Sequence, residues 1–133
     1  MIIDSSAMVA VIKREPDWLV LSERMDSTDR VYMSAASYLE TAIVLDRYRD
    51  PARSARLDEA IEEARIVVEP VTVAQAKIAR QAYHDYGKDS GHPANLNFGD
   101  CFSYALARDK REPLLYKGDN FVHTDLRSAL QQP

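Results

Sequence analysis

Four carboxylates stand where the end of a sheet would collect them. Asp4 closes the first apolar run, Met1–Ile3, and Glu40 lies near the start of the helical stretch that follows a second run, Arg30–Ser34. Asp100 opens an Ala-rich stretch behind the segment Gly91–Asn97, and Asp119 follows the run Pro113–Tyr116. Carboxylates converging on one crevice repel and raise one another's pKa. A cation at their centre removes that cost, and hard oxygen donors of this kind suit Mg2+ or Mn2+. Each acid also has a capping reading. Ser37-x-x-Glu40 has the spacing of a capping box, and Asn97-x-x-Asp100 is a looser form of it. Asp4 and Asp119 can each serve as an N-cap, and any acid in a first turn gains from the helix macrodipole. Taken singly the acids favour the cap; taken together they leave both readings open.

Other reactive side chains carry less. His84, His92 and His123 lack metal-ligand spacing, and the single cysteine, Cys101, leaves nothing for a zinc set or an internal disulfide. The histidines read as surface or loop residues, and His92 sits in the polar loop before Asp100. Cys101 lies in an apolar helical stretch and reads as a small core residue. Neither G-x-x-x-x-G-K-[ST] nor G-x-G-x-x-G occurs, so no nucleotide-cradling loop is supported. Asp4-Ser5-Ser6 lacks the second acid that a doubly wound phosphohydrolase or an acidic-pair receiver sets beside its first. Those types, and an inactive interaction module, are the rival readings.

The elements that must hold these acids alternate. Met1–Ile3, Arg30–Ser34, Ile66–Val71 and Pro113–Tyr116 read as strands. Ser6–Lys13, Asp17–Met25, Ser37–Arg49, Ala55–Arg65, Val73–Tyr86, Phe98–Arg108 and Phe121–Leu130 read as helices, with Tyr86–Asn95 as the strongest loop. Strands alternating with helices predict an α/β fold, with a parallel sheet covered on both faces and ligands bound beyond the strands' carboxyl ends. The 133 residues, 46% hydrophobic and 29% charged, predict one domain, 1–133, burying roughly two-thirds of its unfolded surface. No apolar run approaches the ~20 residues of a membrane span, and the N-terminus lacks the basic and apolar regions of a signal peptide, so a cytoplasmic chain is expected. The net charge of −4 argues against a protein that coats nucleic acid, but not against an enzyme that holds it briefly. The apolar stripes Trp18–Leu21 and Ile43–Tyr48 read as core or, where exposed, as a surface for a partner.

The segments MIIDSSAMVAVI, MSAASYLETAIVL and GHPANLNFGDCFSYALARDKREPLLYKGDNFVHTDL carry a resemblance that runs from Met1 to about Leu126. The chain resembles the PIN-domain ribonucleases, specifically the VapC-type toxins of bacterial toxin–antitoxin pairs. The resemblance implies a three-layer α/β/α sandwich with a central parallel sheet, and Mg2+-dependent endoribonuclease activity with Mn2+ as a substitute. It implies a metal site at Asp4 and Asp100, completed by Glu40 and a fourth acid. Many relatives carry that acid directly before the Phe, where this chain has Asn120; Asp119 is one place earlier, and Asp125 is the other candidate. It further implies structured RNA (tRNA or rRNA) as substrate, a cognate VapB-type antitoxin and homodimerisation. In such a site Ser5 or Ser6 would position a ligand or a phosphate oxygen, and Arg14, Lys88 and Lys117 would hold the RNA backbone.

Overall fold

The computed structural model describes residues 1–47 and 49–131. The elements run β1 (Ile2–Ile3), α1 (Ser5–Lys13), α2 (Trp18–Asp26), β2 (Tyr32–Ser34), α3 (Ala35–Asp46), α4 (Pro51–Glu63), β3 (Val67–Glu69), α5 (Val73–Tyr86), α6 (Phe98–Lys110) and β4 (Leu114–Leu115). Single 3-10 turns cover Lys88–Ser90 and Phe121–His123. The strands form one parallel sheet in the order β3-β2-β1-β4. From β1 the chain proceeds outward through β2 and β3, then returns to β1's other side as β4. That reversal of strand order opens a crevice beyond the carboxyl ends of β1 and β4, the ordinary ligand site of an open parallel sheet.

Side chains alternate across a strand, so each strand serves both faces. Ile2 pairs with Tyr32 and Leu114, and all three pack with α5 and α6 residues such as Ala79 and Leu106. Ile3 pairs with Leu115, and both join Met33 in a second cluster with Met8, Leu21, Leu45 and Leu57 from the first four helices. Two cores separated by a sheet make the expected three-layer α/β/α sandwich. Among the described residues no helix is long and apolar enough to cross a membrane.

Three elements depart from the sequence reading. The helix expected over Phe121–Leu130 is one 3-10 turn followed by extended chain that bridges to β4 at Ser128. The Thr124 hydroxyl donates to Phe121 O and accepts from Leu126 N, a local alternative to helical bonding. The open edge of β4 then supplies backbone partners, with Leu114 N donating to Arg127 O and Ala129 N to Leu114 O. Helix α4 starts at Pro51 rather than Ala55, because Asp50 caps it and proline suits the first helical position. Helix α3 is capped by Ser34 rather than Ser37, which is buried inside the helix. Tyr48, the end of one predicted apolar stripe, lies outside the described residues.

Candidate metal centre

Asp4 ends β1 and caps α1. Its backbone N–H bonds Leu115 O at 2.9 Å, joining it to β4, and its Oδ2 accepts the Ser6 N–H at 3.0 Å. Only 1% of the residue is exposed. Its Oδ1 accepts a 2.5 Å hydrogen bond from Ser103 Oγ, which in turn lies 3.0 Å from Ser37 Oγ. A carboxylate this deep needs such donors to satisfy its oxygens.

Glu40 reaches the same end of the sheet from the second turn of α3. The Ser5 hydroxyl donates to its Oε1 at 2.5 Å. Gly99 faces the other carboxylate oxygen: a Cβ built there would overlap Glu40 Oε2. Glycine at this position is therefore a space requirement, letting α6 pass against the carboxylate of α3.

Asp100 occupies the first turn of α6. It completes a reciprocal box with Asn97, whose Oδ1 accepts the Asp100 N–H at 2.9 Å while Asp100 Oδ2 accepts the Asn97 N–H at 3.0 Å. Asn120 Nδ2 donates to the same Oδ2 at 3.2 Å. Burial pushes the Asp100 carboxyl up to about 6, against the lowering effect of the Asn97 N–H. The Asp4 charge raises it further, the Asn120 amide lowers it, and the Glu40 charge raises it. Gly99, beside Asp100, stands against the Glu40 carboxylate, and Ser103, one turn after Asp100, bonds Asp4, so α6 runs past both other acids.

The remaining expectations divide. Asp119 is exposed and bonded to none of the other acids; its neighbour Asn120 makes the contact instead. Asp125, the other candidate for the fourth acid and expected inside a final helix, lies outside any helix. It accepts from Tyr104 Oη at 2.7 Å and pairs with Arg108 at 3.2 Å, further along α6 from Asp100. Ser6 Oγ accepts the Lys117 N–H, while Lys117 Nζ is held by Glu15 at 2.6 Å and Asp17 at 3.2 Å. Arg14 lies over the Trp18 ring at 5.1 Å. His92 is a loop residue, its Nδ1 accepting the Ala94 N–H and its ring edge-on to Tyr86. Cys101 is buried, with burial first and then the Asp100 charge raising its thiol to about 11. The sequence reading passes over Gly99 and Ser103 and takes Ser37 for a cap, whereas Ser37 contacts Ser103; these contacts join different elements and carry no local signal.

Among the described residues no ion pair involves Asp4, Glu40 or Asp100. Nor do any three His, Cys, Asp or Glu side chains close into a ready-made metal cage. Burial is the first cause of the raised Asp100 carboxyl, and the charges of Asp4 and Glu40 add to it. Oxygen donors only, uncompensated and at a sheet-end crevice, fit a hard divalent cation and fit neither zinc nor a soft metal.

The PIN domain family model matches residues 1–126. Ribonuclease VapC28 of Mycobacterium tuberculosis is 56% identical over 132 residues, covering 99% of both chains. Ribonuclease VapC42 of the same species is 46% identical over 129 residues, covering 97% of this chain and 98% of that one. The crystal structure of M. tuberculosis VapC20, described as a sarcin–ricin loop cleaving toxin, superposes with a TM-score of 0.71. It shares 18% identity and covers 94% of this chain and 95% of that one, a likeness of fold. The chain belongs to the PIN-domain family and, within it, to the VapC ribonucleases, the toxin members of toxin–antitoxin pairs.

Proposed function

We propose that this ribonuclease is an endonuclease dependent on Mg2+, with Mn2+ as a substitute, and that Asp4 and Asp100 are its metal ligands with Glu40 completing the set. The observation that carries this reading is geometric: α6 sets Gly99 against the Glu40 carboxylate, Asp100 in its first turn and Ser103 on the Asp4 carboxylate, with no ion pair to any of the three acids among the described residues. The ion, when bound, supplies positive charge to the scissile phosphate and to the attacking water. The chain's own residues do the rest. Ser103 and the Ser6 N–H hold Asp4, Ser5 holds Glu40, and Asn97 and Asn120 hold Asp100, so the oxygen donors are oriented before the ion arrives. Asp119 adds negative charge from the exposed rim.

The substrate in this reading is a structured RNA, tRNA or rRNA; that VapC20 is described as cleaving the sarcin–ricin loop favours an rRNA hairpin. The partner is a VapB-type antitoxin. Its helix would seat on exposed apolar side chains: Leu19 and Val20 on α2, or the groove of Leu39, Ile43, Phe98 and Phe102 that ends at Glu40. The face not taken by the antitoxin is available for a homodimer.

The test is cleavage of total RNA by the purified chain with Mg2+, with EDTA, and with Asp100→Asn, sequencing the cut ends. Metal-dependent cuts at a few sites, lost in the variant, are expected. Cleavage that survives both EDTA and Asp100→Asn would overturn the reading.

A further inference from the structure

Ser103 is wholly buried, and Ser37 and Asp4 are each 1% exposed. The positions around Ser103 on α6 are filled by buried Cys101, Ala105, Leu106 and Ala107, so its hydroxyl stands in otherwise apolar surroundings on that helix. The hydroxyls form a chain. Ser103 has one hydroxyl proton, and the Asp4 carboxylate takes it at 2.5 Å. Ser37 must therefore donate in the 3.0 Å contact between the two serines.

The chain joins three elements. Ser37 stands one turn before Glu40 on α3, and Ser103 one turn after Asp100 on α6. Residues three apart share a helix face, so the serine bridge lies one turn along from the acids and ties both helices to the end of β1. We infer that Ser103, backed by Ser37, is a positioning residue: it fixes the Asp4 carboxylate and, through it, the spacing at which Asp4, Glu40 and Asp100 meet a cation. The Ser6 N–H alone grips one oxygen and leaves the carboxylate free to rotate about that bond; the Ser103 hydroxyl on the other oxygen removes the freedom. Ser37 polarises the Ser103 hydroxyl and saturates its acceptor side, so the polar chain is satisfied inside the core.

This inference rests on the metal reading of the site, and the experiment separates the two. Mn2+ binding to the RNA-free full-length chain is measured by titration calorimetry, alongside melting temperature in EDTA. The proteins are wild type, Ser103→Ala, Ser103→Thr, Ser37→Ala and the double alanine variant. Ser103→Ala should weaken Mn2+ binding about tenfold, the range seen when outer-shell partners of metal ligands are removed. Ser37→Ala should weaken it less, and should add nothing in the Ser103→Ala background, because it acts only through that hydroxyl. Ser103→Thr keeps the donor while crowding the core. It should melt lower than wild type yet bind Mn2+ much as wild type does, which a purely structural serine would not produce. If Ser103→Ala does not fold, Ser103→Thr and Ser37→Ala carry the comparison. Mn2+ affinity that tracks melting temperature across the series, or that is unchanged by Ser103→Ala, overturns the inference and leaves the metal site standing. A wild-type chain that takes up no Mn2+ overturns both.

Discussion

Asp100→Asn should stabilise the metal-free protein while abolishing its chemistry. The Asp100 carboxyl sits at about 6 rather than 3.8, so between those values the folded chain binds a proton that the unfolded chain has released. The resulting penalty is absent below about pH 4, grows as pH rises towards 6, and is fully present at pH 7. At about 1.4 kcal/mol per pH unit the ceiling is about 3 kcal/mol. Asp100 is partly exposed, and solvent screening brings the expected cost to about 1–2 kcal/mol. Asparagine retains the local bonds. One carboxylate oxygen, Oδ2, accepts from both Asn97 N and Asn120 Nδ2, and the amide oxygen can take its place. The amide NH2 then replaces the other oxygen and presents hydrogens where Asp4 and Glu40 present negative charge. The assay is thermal unfolding of both proteins in EDTA at several values between pH 4.5 and 7.5. The variant's advantage should be small at the acid end and reach about 3–8 °C above pH 6.5. Added Mn2+ should then stabilise wild type and leave the variant nearly unmoved. A variant less stable than wild type at pH 7.5 in EDTA, or an advantage that does not change with pH, refutes the account of a buried Asp100 carboxylate that also feels the charges of Asp4 and Glu40.

Gly99→Ala should push the Glu40 carboxylate off Ser5, because the clash is with a flexible side-chain end rather than backbone. RNA cleavage should fall at least about tenfold with melting changed by no more than about 1 kcal/mol, and a crystal structure with Glu40 still on Ser5 would contradict this. Ser5→Ala should weaken Mn2+ binding without touching the fold; unchanged calorimetric affinity would remove Ser5 from the account. Asp125→Ala should lose about 1–2 kcal/mol through the Tyr104 and Arg108 contacts while the folded fraction cleaves normally, read from melting temperature and rate on one sample. Asp119→Ala acts only through its field. It should weaken Mn2+ binding about two- to threefold at low salt and not at all in high salt, a pattern that a direct ligand would not give.

What could be read from the sequence follows from how far apart the deciding residues lie. Ile2 and Ile3, or Leu114 and Leu115, announce strands buried on both faces because each pair must satisfy two cores. The capping box Asn97/Asp100 is legible because its partners are three residues apart. The 121–130 segment misleads for the opposite reason. Its helical pattern is real, but the open edge of β4, set by residues far earlier in the chain, offers Ser128 and its neighbours better backbone partners. The contacts Ser103–Asp4, Ser5–Glu40 and Asn120–Asp100 join residues on different elements, so no local spacing reveals them.

Capping and metal binding, which the sequence sets against each other as rival readings of the same acids, do not exclude one another at two of the three positions. Asp4 caps α1 and Asp100 closes the box on α6, so each carboxylate already accepts a backbone N–H at a helix N-terminus. Those N–H groups favour the ionised form, and the helix termini add positive potential. With them, the Asp100 carboxyl is held near 6, ionised at neutral pH yet still under repulsion that a cation would relieve. Glu40 is not at a helix start, and the Ser5 hydroxyl holds its carboxylate instead. The caps thus do more than end helices: in the metal reading proposed above, they also orient two of the carboxylates that would face the cation.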